Sequence, residues 1–169
     1  MGEVEAALRA TFEKNGVRID EGALASAADS TSVYAYLIQL VGYNVWRAAQ
    51  VRAGMEFDAI TAEDVEKGVV VARREFERTV LETAVAHPPK TAMEYLIAMT
   101  KDALASSTGE IASRLGVPAP SLSTARKLLV SRQIIEPTAR GYVGFSIPFM
   151  KEYLAENREA LLARYGVEG

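Results

Sequence analysis

Apolar residues recur at helical spacing along most of this chain, and the breaks between the runs mark its elements. Val4, Leu8 and Phe12 form a stripe along residues 4–14, and Asn15-Gly16 ends it. Asp20 is placed to cap a short alanine-rich helix over 21–28, and Asp29-Ser30-Thr31-Ser32 breaks that helix and caps the next. The third helix, 33–50, reads VYAYLIQLVGYNVWRAAQ. Tyr36, Leu37, Leu40, Val41 and Val45 line one broad face, with Tyr43 and Trp46 beside it, which predicts a central helix buried nearly all round. A loop carrying Gly54 spans 51–60. Thr61 then caps a long helix that runs past Leu81, and Asp64 at its third position completes a capping box. Glu63, Asp64 and Glu66 favour the positive end of that helix. No histidine accompanies them, so capping explains them better than a metal or acid–base cluster. Further along, Arg73, Arg74 and Arg78 alternate with Glu75 and Glu77, the pattern of a solvated, salt-bridged face. His87-Pro88-Pro89 punctuates the chain, because each proline disfavours a helical predecessor. We place the domain boundary there, with a helical subdomain over 1–86 and a second domain over 87–169.

The second domain opens with a helix over 91–103 that turns Met93, Leu96 and Ile97 inward. Its heart is residues 108–145, TGEIASRLGVPAPSLSTARKLLVSRQIIEPTARGYVGF. Ser107 and Glu110 have the spacing of a capping box; Ile111, Ala112 and Leu115 give an apolar face, and Gly116 suits a left-handed C-cap. Pro120 fits the first position of a second helix, where its missing N–H costs nothing. Leu122, Ala125, Leu128 and Leu129 share that helix's inner face. Ile134 and Ile135 predict a strand, 137–141 a polar turn and 142–146 a return strand; a final helix covers 148–165. Helix, turn, helix and ribbon in this order is a winged helix-turn-helix. The fold class expected is therefore mainly α, with a small β-wing. The second helix is the one that would enter a major groove. Ser121, Ser123 and Thr124 offer hydroxyls for phosphates and base edges, Arg126 and Lys127 supply charge, and Arg140 falls at the wing tip. Residues 106–147 carry five basic and two acidic side chains, a thin footprint for duplex DNA. A winged helix that docks protein instead is the competing reading.

Composition narrows the chemistry. The 169 residues are 49% apolar and 24% charged, an ordinary globular mix. With no cysteine there is neither a disulfide framework nor a thiolate metal site. The N-terminus lacks a basic-then-apolar signal and no apolar run reaches the length of a membrane span, so we expect a cytoplasmic protein. The net charge of −3 conceals an asymmetry: residues 1–86 sum to −5 and 87–169 to +2, so nucleic acid should meet the second half. There is no phosphate-binding G-x-x-x-x-G-K-[ST] loop, no G-x-G-x-x-G turn, no G-x-S-x-G elbow and no H-E-x-x-H. His87 is the one histidine. The common nucleophile–base pairs are almost excluded, and no catalysis is expected of this chain alone.

Several segments together resemble a known family. Thr31-Ser32-Val33-Tyr34-Ala35-Tyr36-Leu37-Ile38-Gln39, followed by Trp46, is similar to a T-x-G-Y-P-Y-L-I-Q-like motif. That motif opens a helix of the lid subdomain in P-loop ATPases of the AAA+/STAND type, common in actinobacteria and archaea. The likeness continues through Ile60, Thr61, Asp64 and Val65 into the long helix. It ends in a winged helix of the form T-x-x-I-A-x-x-L-G-V, matched by Thr108, Ile111, Ala112, Leu115, Gly116 and Val117. Val33 and Ala35 replace the motif's glycine and proline. The lid arginine that senses nucleotide in such proteins has only loose counterparts in Arg47 and Arg52. The nucleotide-binding core that would precede the lid lies outside this sequence, and a C-terminal piece of such an ATPase is expected before a free-standing descendant.

The resemblance implies a lid that passes nucleotide state to the winged helix, with ATP and Mg held by the parent's core in cis and none bound by this chain. It also implies that Tyr34, Tyr36 and Gln39 face that core; plain core packing of the central helix is the favoured competing reading for the aromatics. Duplex DNA, the core itself and a second copy of the chain are the partners expected, and a membrane is not. The alternatives are a free-standing winged-helix transcriptional regulator and a protein-interaction module.

Overall fold

The computed structural model describes residues 2–165. Over them the chain is mainly helical, with a three-stranded antiparallel sheet and a separate two-stranded parallel pair. It divides into two compact units between Thr79 and Val80. That point lies ahead of the His87-Pro88-Pro89 punctuation, and Leu81 and Val85, just after it, are buried side chains of the second unit.

The first unit begins with α1, Gly2–Lys14, which buries Val4, Leu8 and Phe12. Strand β1, Arg18–Ile19, leads into α2, Glu21–Asp29, capped by the Asp20 carboxylate on the N–H of Ala23 at 3.0 Å. Helix α3, Ala35–Ala53, and α4, Ala62–Phe76, form the main helix pair of the unit. Between them β2, Ala59–Ile60, pairs in parallel with β1, matching Arg18 to Ala59 and Ile19 to Ile60. Two-residue strands have no periodicity to read, so the sequence offered only a loop over 51–60. At Gly68 the backbones of α4 and α3 come close together. A Cβ built there would stand 2.5 Å from the Val45 nitrogen and 2.6 Å from its Cα, so only a glycine lets the two backbones approach. Around this contact lie Leu37, Leu40, Val41, Val65, Ala72 and Phe76, all buried. Trp46 packs edge-on against Phe57 at 4.8 Å between centroids and stacks beyond Phe12 at 6.5 Å.

Helix α3 differs from its expectation in two ways. It is not enclosed on all sides: Tyr43 and Val51 face outward, and inward positions include Asn44, whose amide donates to the Leu40 carbonyl at 2.9 Å. It also starts later than residue 33, without a side-chain cap. Ser32 and Val33 have φ of 48° and 57°, in the left-handed region, and Tyr34 returns to extended geometry before the helix begins at Ala35. The buried Thr31 hydroxyl holds this excursion by donating to the Ala28 carbonyl at 2.7 Å and accepting from the Val33 N–H at 3.2 Å. Thr31 thus closes a turn instead of capping the helix, as its position had suggested.

Helix α4 passes into a π-helical turn, Glu77–Leu81, and then into α5, Glu82–Ala84, so the long helix is not one uniform element. The second unit centres on α6, Lys90–Met99, which buries Ala92, Met93 and every residue from 95 to 99. This short helix is the enclosed one that the pattern had assigned to α3. Strand β3, Ser106–Ser107, precedes α7, Thr108–Leu115. Ser107 makes no side-chain cap. The start of α7 is tied to the sheet instead, with the Thr108 N–H and hydroxyl both donating to the Gly141 carbonyl, at 2.9 and 3.2 Å. Gly116 ends α7 at φ 66°, the left-handed conformation its residue type favours. A 3-10 turn, Ala119–Leu122, takes the place of the expected first turn at Pro120 and runs into α8, Ser123–Ser131.

Strands β4, Ile135–Ala139, and β5, Tyr142–Phe145, form a hairpin whose turn narrows to Arg140-Gly141. The sheet order is β3-β5-β4, which leaves β4 at an edge, where Pro137 is tolerated beside an irregularity in register. The expected last helix is two, α9, Met150–Glu156, and α10, Arg158–Ala163, broken at Asn157.

Candidate functional site

The exposed side of the second unit around α8 gathers most of the residues singled out in the sequence. Leu122, Ala125 and Leu129 are buried beneath it, which fixes the opposite face outward. Ser123, Thr124 and Lys127 are exposed there, and positions three and four apart on a helix are surface neighbours. Ser121 precedes them in the 3-10 turn. Its hydroxyl proton is committed to the Pro118 carbonyl at 2.7 Å, so toward a ligand it can only accept. Lys127 has no ion pair among the described residues. Arg126 is half-buried and directed differently from Lys127, near enough to Tyr95 for its charge to act on that phenol. Arg140 is exposed at the hairpin tip beside Gly141, and Tyr142 next to it is exposed too. The surface is thus polar and weakly basic. Arg114, which lies in the same sequence stretch, does not add to it. Its guanidinium forks onto Asp102 with two contacts of 2.6 Å and also donates to the Ala98 carbonyl at 2.9 Å. The Asp102 carboxyl is held below the usual carboxylate range, chiefly by that hydrogen bond.

Behind α8 lies an unexplained polar atom. The Tyr95 hydroxyl is buried with no hydrogen-bond partner, and burial raises its pKa while the Arg126 charge opposes the rise. Buried polar atoms are nearly always satisfied. No sequence pattern marks this one, because Tyr95 falls on an ordinary apolar stripe.

In the first unit the three residues that the resemblance would turn toward a nucleotide-binding core are not brought together. Tyr34 and Tyr36 both lie against Phe76, with centroids 5.5 and 6.3 Å away, so their rings complete the packing around the end of α4. Gln39 is exposed and lines a different feature, an open groove of about 530 Å3 between α1 and α3. Leu8, Phe12, Ile38, Tyr43 and Trp46 give that groove apolar walls.

The two arginines considered as nucleotide sensors are also engaged. Arg47 sits over the Tyr43 ring at 5.7 Å. Arg52 donates from Nε to both Asp64 oxygens at 2.9 and 3.0 Å, and from Nη2 to Asp64 Oδ2 at 2.8 Å and to the Ala59 carbonyl at 3.0 Å. Asp64 simultaneously accepts from the Thr61 N–H at 2.9 Å and the Thr61 hydroxyl at 2.8 Å. Burial pushes the Asp64 carboxyl up, but Arg52 and Thr61 together outweigh it, and the net shift is downward. The capping box was legible from Thr61 and Asp64. The Arg52 clamp was not, because nothing in the spacing of 52 and 64 announces that α3 and α4 close on each other.

Among the described residues no group of three or more His, Cys, Asp or Glu side chains is arranged to hold a metal ion. No helix among them is long and apolar enough to cross a membrane. A family model described as a domain of unknown function, DUF8462, matches residues 78–154, which span the second unit from the π-helical turn through most of α9. No curated protein matches the chain.

Proposed function

We propose that the second unit is a winged helix-turn-helix that contacts duplex DNA, and that the whole chain is the non-catalytic C-terminal region of a P-loop ATPase. The observation that carries the DNA reading is the outward face of α8. Ser123, Thr124 and Lys127 stand exposed on it, and the Lys127 charge has no ion-pair partner among the described residues. The winged-helix reading draws support from the order α6, β3, α7, α8, β4, β5 and from the antiparallel sheet order β3-β5-β4. In that role α8 enters the major groove, the hydroxyls meet phosphates and base edges, and Arg140 on the hairpin tip reaches the flanking backbone.

The lid reading draws support from the start of α3. The family motif has glycine where this chain has Val33 and proline where it has Ala35. Val33 occupies a left-handed conformation that glycine adopts without strain. Ala35 is the first helical residue and follows an extended Tyr34 at ψ 121°, the setting in which proline fits. The backbone is therefore the one those two residues would specify, although neither is present. Tyr34 and Tyr36 serve that turn by packing on Phe76, while Gln39 and the α1–α3 groove remain open to a core domain supplied in cis, which would carry ATP and Mg.

The test is duplex DNA binding by the full chain across a salt series, beside the Lys127→Ala/Arg140→Ala variant. Binding should weaken steeply with salt, and the variant should lower the log–log slope by about 2, one for each phosphate that is no longer neutralised. No binding at low salt would remove the DNA reading and leave a protein-docking unit.

A further inference from the structure

We infer that the second unit holds a binding pocket for a small apolar carboxylate, separate from the α8 surface. The pocket lies among α6, α7 and α10 and has a volume of about 220 Å3. Its walls are Ile97, Ala98, Leu115 and Leu162, and its mouth carries Lys101, Arg114 and Arg158 against Glu94. The volume is below the roughly 300–1,000 Å3 of pockets for drug-sized ligands. It exceeds the ~150 Å3 cavity that accepts a benzene ring, so a single ring or short branched chain with one charged head fits.

The charge at the mouth selects the head group. Arg114 is already fixed, with its fork on Asp102 and a bond to the Ala98 carbonyl. Glu94 has its own partner in Lys90 at 3.9 Å. Lys101 and Arg158 have no ion pair among the described residues, and both belong to exposed positions at the rim. Two uncommitted cations over an apolar floor match an anion with an apolar body, and a planar carboxylate can take two parallel donors from a guanidinium. The pocket draws its walls from three separate helices, so an occupant would bridge α6 and α7 to α10.

The experiment titrates the full chain with benzoate, and with benzamide as the neutral isostere, following amide 1H–15N spectra. Benzoate should bind with a Kd on the order of 1 mM, the affinity about nine heavy atoms reach at modest ligand efficiency. Shifts should concentrate at Ile97, Ala98, Leu115 and Leu162. Benzamide, and benzoate on Lys101→Gln/Arg158→Gln, should each bind about tenfold or more weakly, the loss expected for charge-assisted hydrogen bonds. Both substitutions fall at exposed sites, and the variant's spectrum away from the pocket checks that it folds. Equal binding of acid and amide would overturn the proposal. So would benzoate binding unchanged in the folded variant, shifts located elsewhere, or no benzoate binding to the wild-type chain.

Discussion

Gly68→Ala should destabilise the first unit although it replaces a poor helix former with the best one. In an exposed helix interior the exchange would gain about 1 kcal/mol. Here the new methyl would lie 2.5 Å from the Val45 nitrogen, 2.6 Å from its Cα and 2.8 Å from the Asn44 carbonyl carbon, all of them backbone atoms. No rotamer relieves such a clash, so α3 and α4 must separate by ~1 Å to reach van der Waals distance. Overpacking of this kind costs about 1–3 kcal/mol, and separation also loosens Leu40, Val41, Val65 and Phe76 around the crossing point.

The net effect expected of Gly68→Ala is a loss of about 1–2 kcal/mol, a fall in midpoint of ~4–15 °C for a unit of this size. Gly42→Ala is the matched control. Its Cβ meets only the Leu8 Cδ2 at 3.3 Å, the far end of a side chain that can give way. There the helix-propensity gain should offset the close approach, leaving stability unchanged or higher. Both sites lie in the first unit, as does the single tryptophan, Trp46, so urea unfolding followed by its fluorescence reads the right transition. A Gly68→Ala midpoint equal to or above wild type would refute the reasoning, because the helix pair would then not be held at the distance described.

Further outcomes follow from the same structure. Ala35→Pro should stabilise the first unit by about 0.4–1 kcal/mol, since Tyr34 is already extended and the first helical N–H has no intrahelical acceptor; a lowered thermal midpoint would show that the α3 start differs from this geometry. Asp64→Asn should cost roughly 2–3 kcal/mol at neutral pH through the weakened cap and the lost charged hydrogen bonds. Because the folded carboxyl pKa is lowered, that contribution is present above the unfolded value near ~3.9 and is lost as pH falls through the folded one. Wild type and variant should therefore converge in strong acid, and a gap that widened there would contradict the sign. Tyr95→Phe removes a buried hydroxyl with no partner and should gain about 1 kcal/mol in the second unit; exchange protection of the α6 amides measures it, and a comparable loss would mean the hydroxyl is bonded.

What residues say about their own neighbours was legible in the sequence. Asp20 and Thr61 cap helices because a short polar side chain before an apolar stripe reaches the free N–H groups locally. Gly116 ends α7 for an equally local reason. The candidate residues on α8 were also readable, because helical periodicity alone divides Leu122, Ala125 and Leu129 from Ser123, Thr124 and Lys127. Hydrophobicity did not decide which helix is enclosed. The long, apolar α3 leaves Tyr43 and Val51 outside, while ten-residue α6 is buried on most of its circumference, because enclosure depends on how many elements arrive around a helix.

The same holds for pairings made at a distance in sequence. The β1–β2 ladder, the Arg52–Asp64 clamp and the Lys101–Arg158 pocket mouth each join segments with no shared pattern. Ser107 carried a capping signature, yet the sheet took over its helix start through Gly141. Sequence by itself determined where most helices lie, the caps at Asp20, Thr61 and Gly116 and the polar face of α8, since these follow from local hydrogen bonding and periodicity. Only the tertiary structure decided which charges are spent on other residues and which stay without an ion pair among the described residues, because that depends on which side chains folding brings within a few ångströms of each other.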